Sequence, residues 1–179
     1  MALSDSDIKN LVQKAQKGDK EAFGQIYDMF FEKIYKYIFF RTKETEEAED
    51  LASVVFLKVW KNLSKYKVSK KAKFSTWLFQ VARFTLIDHY RKKKIQVSIE
   101  DVQEMSDKDF TIHNAELSEA KKYLLLLSED HQTVISLRYF EGLDFEEIAK
   151  VVGRTAVGTR VLLHRALKKL SNLMGVENE

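Results

Sequence analysis

Between Asp144 and Lys169 the chain carries residues of the types and spacing that could hold duplex DNA. Asp144, with Glu147 three residues on, fits a reciprocal helix cap, and Ile148, Ala149 and Val152 give the short helix behind it one apolar face. Small Ala149 lets a second helix cross closely. Gly153 sits where the chain must reverse, and Thr155 is a good cap for the next helix. Arg154, Arg160, Arg165, Lys168 and Lys169 follow, and no acid lies between Val151 and Val176. A helix-turn-helix of this kind places its second helix in a major groove, where side chains meet base edges and phosphates. Arg160 and His164 are spaced for such contacts, while Arg165, Lys168 and Lys169 suit the phosphate backbone. The triplet Val161-Leu162-Leu163 is unusual there, because at least one member should face the groove. The competing reading is a helical hairpin that only packs.

Two further segments could engage partners. On a helix turning about 100° per residue, Asp50, Ser53, Leu57 and Trp60 fall together, away from the Leu51/Val55/Val59 stripe. Exposed Leu and Trp are interface anchors, unless a neighbouring helix buries them. A lysine-rich stretch from Lys65 leads into Phe74-Ser75-Thr76-Trp77, and Trp77, Gln80, Phe84, Asp88 and Arg91 share one angular sector. Aromatics between basic and amide groups suit unpaired bases. Phe74 and Trp77 could equally be core residues.

These segments need helices to hold them. Phe23, Ile26, Tyr27, Phe30, Phe31, Ile34, Tyr35, Ile38 and Phe39 form one wide apolar stripe. A shorter helix precedes it, with Ile8, Leu11, Val12 and Ala15 inward and Gly18 as its stop. A third is expected from about Thr45 to Leu63, and a fourth from near Ser75 to Lys94, with Leu78, Val81, Ala82 and Leu86 inward. After Lys94 periodicity fails and acids dominate. Helicity resumes near His113, and Ser128 can cap a further helix containing Val134, Ile135 and Leu137. The fold class is all-α: two small helical domains joined by a flexible acidic linker, with boundaries at 7–94, 95–112 and 113–175.

Composition agrees. The chain has 179 residues, a net charge of +3 and no cysteine, so disulfides are excluded. Basic residues crowd Lys65–Lys94 against Asp88 alone, acids crowd Glu100–Asp130, and the C-terminal helices are basic again. Two basic blocks around an acidic one fit a polyanion touched at two places. His89, His113, His131 and His164 make no metal pair, and no phosphate loop or nucleophile elbow is present. Neither catalysis nor a metal or cofactor is expected. Nor is membrane insertion, since no apolar run approaches the roughly 20 residues of a span. The start of the chain lacks the features of a signal peptide, so a soluble cytoplasmic protein is expected.

Taken in order, the motifs resemble those of the bacterial extracytoplasmic-function sigma factors. The resemblance rests on Gly18–Phe23, on Ala48-Glu49-Asp50-Leu51 with Phe56–Trp60, on Phe74–Leu78 with Val81-Ala82-Arg83 and Ile87-Asp88, and on Leu137–Leu143 with Glu147-Ile148-Ala149 and Leu163–Ala166. It implies a dissociable specificity subunit that binds core RNA polymerase and promoter DNA and is held inactive by an anti-sigma factor. Asp50, Leu51, Ser53, Leu57 and Trp60 would then bind polymerase. Lys70, Lys71, Lys73, Phe74, Ser75, Thr76, Trp77, Gln80, Arg83, Phe84 and Arg91 would engage the minus-ten element. Arg154, Thr155, Thr159, Arg160, His164, Arg165 and Lys168 would engage the minus-thirty-five element. Departures from the family pattern are Ala52-Ser53-Val54 for Thr-Gln-Glu, Phe84 for Asn, Val161-Leu162 for Ser-Arg, and Thr159 at a usually apolar site. Alternatives are a stand-alone helix-turn-helix regulator, or a degenerate sigma-like protein that binds polymerase without reading promoters.

Overall fold

The computed structural model describes residues 4–42, 44–68, 73–97 and 121–175, and these are helical throughout their ordered elements. Lys70, Lys71 and most of the expected linker lie outside the described residues. The N-terminal unit is built from α1 (Asp5–Gln16), α2 (Lys20–Phe39), α3 (Thr45–Asn62) and α4 (Phe74–Val97). Helix α1 starts on a capping box: the Asp7 amide donates to Ser4 Oγ at 3.3 Å, and the Ser4 amide donates back to the Asp7 carboxylate at 2.9 Å. Helix α2 starts on Asp19, whose carboxylate accepts from the Ala22 amide at 3.0 Å.

The apolar stripes then fix the packing. Ile26, Phe30, Ile34 and Ile38 of α2 meet Ala52, Val55 and Val59 of α3, with Leu78, Phe79 and Ala82 of α4 closing the core; all are buried. The side chain of Gln16 donates to the carbonyls of Leu63 (2.9 Å) and Tyr66 (2.6 Å), which ties the tight turn after α3 to α1. Helix α4 runs to Val97, past the end expected at Lys94. Its basic end is partly structural: Lys93 Nζ lies 3.0 Å and His89 Nε2 2.7 Å from the Glu47 carboxylate on α3. Burial tends to raise the Glu47 carboxyl, but these two partners outweigh it and hold it below the usual range.

A helical stretch at 121–125 leads into the C-terminal unit, followed by α5 (Glu129–Ile135), a π-helical turn (Ser136–Phe140), α6 (Phe145–Val152) and α7 (Ala156–Met174). Ser128 occupies the cap position of α5, but its hydroxyl makes no capping bond; Gln132 instead bonds the Leu127 carbonyl at 2.9 Å. Leu127, Val134, Leu137, Ile148, Val152, Leu163 and Ala166 form the core.

The two units pack on each other, with α4 against α6. The Phe40 and Phe140 rings stack at 4.5 Å between centroids, and Lys121 Nζ lies 3.6 Å from the centre of the Phe39 ring.

Candidate polymerase and nucleic-acid interfaces

Helix α3 presents a second apolar face. Leu57 is 59% and Trp60 37% exposed, and with Lys20, Phe23, Tyr27, Ser53 and Phe56 they line an open groove of about 520 Å³. The Phe23 and Trp60 rings meet edge to face at 4.7 Å, which fixes one wall of the groove. Asp50 and Ser53 are exposed on the same side, whereas Leu51 is buried in the core, because its position faces α2. Its contribution is therefore to packing. Phe23 and Tyr27 were not among the residues expected here. The signal was the width of the α2 stripe, which covers more than one core-facing surface.

The second candidate surface follows α4. Phe74 and Thr76 are buried, and Phe74 stands edge-on to Phe30 at 5.8 Å. Phe74 supports the surface and does not reach it, whereas Thr76 shares the face of Lys73, Gln80 and Arg83 by helical geometry and is covered in the packed arrangement. Trp77 and Ser75 are half-buried, and Phe84 is 58% exposed. Arg91 is exposed near the basic end of the helix.

Much of this surface is engaged by the C-terminal unit. Lys73 Nζ pairs with Glu147 at 3.0 Å, which raises the lysine above its ordinary value. Gln80 donates to the Lys150 carbonyl at 2.8 Å. Arg83 reaches Asp130 Oδ1 at 3.1 Å, and Arg154 reaches the other oxygen of the same carboxylate at 2.8 Å. Burial would raise Asp130, but its bonds to Arg154 and Arg83 bring it below the usual carboxylate range. One carboxylate thus holds a basic residue from each candidate DNA surface. Although no acid follows Val151 locally, an acid 24 positions before Arg154 supplies its partner.

The third surface is the helix-turn-helix. Asp144 accepts from the Glu147 amide at 2.8 Å, and the Asp144 amide donates to Glu147 Oε2 at 3.1 Å, as the spacing required. Gly153 turns the chain at φ +70°, a conformation that disfavours a side chain. Thr155 Oγ1 accepts from the Gly158 amide at 3.0 Å and so caps α7. Thr159 is fully buried, its hydroxyl donating to the Thr155 carbonyl at 2.9 Å. That bond satisfies a polar group at an inward position, so the expected DNA contact there does not form. Arg160, His164, Arg165 and Lys168 are all exposed, and the Arg160 guanidinium lies 5.1 Å from the centre of the Phe145 ring. Val157 and Val161 are exposed between them.

Among the described residues no helix is long and apolar enough to cross a membrane, and no group of three His, Cys, Asp or Glu could hold a metal ion.

Residues 26–95 match the family model of sigma-70 region 2, and residues 117–170 match that of sigma-70 region 4. The chain is 30% identical to the RNA polymerase sigma factor YlaC of Bacillus subtilis, covering 89% of this chain and 96% of the relative. It is 28% identical to the ECF RNA polymerase sigma factor SigW of the same organism, over 91% and 94% of the two chains. The fold is that of CnrH in its complex with the cytosolic domain of CnrY (TM-score 0.72, 22% identity, 95% and 98% covered). RpoE bound to the anti-sigma factor NepR, from Bartonella quintana, shares it equally well (TM-score 0.72, 20% identity, 87% and 98% covered).

Proposed function

Because the chain belongs to the sigma-70 family, in its extracytoplasmic-function branch, we propose that its two helical units divide the work of promoter recognition. The protein is a promoter-directing sigma factor of RNA polymerase. The groove around Leu57 and Trp60, with Asp50 and Ser53 on its rim, is the docking surface for core polymerase. Lys73, Ser75, Trp77, Gln80, Arg83, Phe84 and Arg91 engage the minus-ten element as its strands part, with exposed aromatic surface offering stacking to unpaired bases. Arg154, Arg160, His164, Arg165 and Lys168 hold the upstream duplex. Residues 7–94 and 113–175 act as separate modules on the two promoter elements, joined through 95–112. The work is non-catalytic and cytoplasmic, and an anti-sigma factor restrains the chain when it is not needed.

The observation that best supports this reading is an apolar groove on the N-terminal unit and an exposed basic recognition helix on the C-terminal unit of one chain. In the packed arrangement Lys73, Gln80 and Arg83 are tied to the C-terminal unit, so minus-ten engagement requires the units to separate. Reconstituted transcription tests the proposal. Core polymerase with this protein should start transcripts at a subset of promoters sharing two upstream elements. Polymerase binding with no promoter-specific protection would instead identify a degenerate regulator.

A further inference from the structure

Helix α7 carries an apolar feature that a purely electrostatic DNA grip does not need. Val157 is 66% exposed and Val161 46% exposed, at a spacing of four residues. With His164 and Lys168 they form one line along the helix, opposite buried Thr159, Leu163 and Ala166. Leu162, Leu167 and Leu170 pack against the core, whereas the two valines stay at the surface. By helical geometry Arg160 and Arg165 flank this line on opposite sides, each displaced by about 70°. The apolar pair is therefore the centre of a surface with cationic edges.

Those edges decide between occupants. A protein partner would have to meet arginines on both flanks together with His164 and Lys168. A major groove presents phosphates along both sides and base edges in the middle, which matches cation, apolar centre, cation. The apolar group displayed on a base edge in that groove is the C5-methyl of thymine.

Resting on the sigma-factor reading, we infer that Val157 and Val161 read thymine methyl groups in the upstream promoter element. Four residues of helix advance about 6 Å, close to two base steps of roughly 3.4 Å. The two valines thus reach thymines lying within about two base pairs of each other. The departure from the family pattern at Val161 converts a polar contact into recognition of a methyl group.

Deoxyuridine, which is thymidine without that methyl, isolates the interaction. Promoter duplexes are first selected from a randomised pool by holoenzyme made with the full chain, and each upstream thymine is then replaced singly by deoxyuridine. Burying one methyl-sized group is worth roughly a fourfold change in binding. Replacement at one or two neighbouring thymines should weaken holoenzyme binding by about that factor. Val157→Ala or Val161→Ala should abolish the difference between thymine and uracil at its own position while leaving the chain's thermal melting unchanged. If every upstream thymine tolerates the exchange, or the selected element contains none, while Arg160→Ala still alters base ranking, the inference fails and the proposed function stands. If holoenzyme selects no duplex over core polymerase alone, the sigma-factor reading itself fails.

Discussion

Arg160 lies against the Phe145 ring with its charge still facing solvent. That contact steadies the side chain without neutralising it. Arg160→Ala should cost about 1–3 kcal/mol at the upstream element and relax base preference there. Competition binding against single-base variants measures this, and an unchanged ranking would remove Arg160 from base readout. Lys168→Ala, one turn beyond His164, should weaken all duplexes about evenly and lower the salt slope by about one. A titration over salt concentration separates the two roles. Spacing alone located these side chains because a helix fixes which positions share a face. The family resemblance put Thr159, Phe74 and Leu51 among the contact residues, although each falls on an inward face of its helix. A threonine reads as polar, but Thr159 satisfies its hydroxyl on the carbonyl one turn back and fits a core position.

Helix α7 depends on its first cap. Thr155→Ala removes the acceptor for the Gly158 amide and should lower the stability of the C-terminal unit by about 1 kcal/mol. Thermal or denaturant unfolding reads that loss. DNA affinity should fall evenly across sequences, since Thr155 acts here through helix geometry. The stripes of α1 and α2 and the caps of α6 and α7 were legible because the residues involved lie within a few positions of each other. The π-helical turn at Ser136–Phe140 was not. Its wide turn is joined to the following loop by the Leu143 amide on the Leu137 carbonyl at 2.9 Å and Arg138 on the Leu143 carbonyl at 2.9 Å. It places Phe140 against Phe40 of the other unit, a contact that no local periodicity encodes.

At the scale of the molecule, the two units were legible but their packing was not, because it is made by pairs far apart in sequence. Asp130 clasps Arg83 and Arg154 together. Both pairs are partly exposed, so each contributes at most about 1 kcal/mol. Asp130→Asn should shift the chain toward separated units by several-fold, seen as a longer distance between fluorophores on α4 and α7, and should increase DNA binding. Glu141 adds a pH dependence. It lies in a cavity of about 310 Å³ between the units, lined also by Asp5, Lys33, Lys73 and Glu147. Burial pushes its carboxyl from 4.5 up to about 7, against the opposing pull of Lys33, Lys36 and Arg41 and with a further rise from Glu32. A raised value means the packed arrangement binds the proton more tightly than the open one. Its contribution is complete below pH 4.5 and is lost as pH rises through about 7. Glu141→Gln should flatten that dependence in the same distance measurement.

The groove around Leu57 and Trp60, proposed to receive core polymerase, offers the decisive experiment. Equilibrium binding of the labelled full chain to core RNA polymerase, compared with Leu57→Asp, measures its contribution. Leu57 is exposed, so the substitution should leave folding intact while placing a charge in an apolar interface, and affinity should fall by at least about tenfold. Equal affinity for the two chains, or no binding by either, would contradict the assignment.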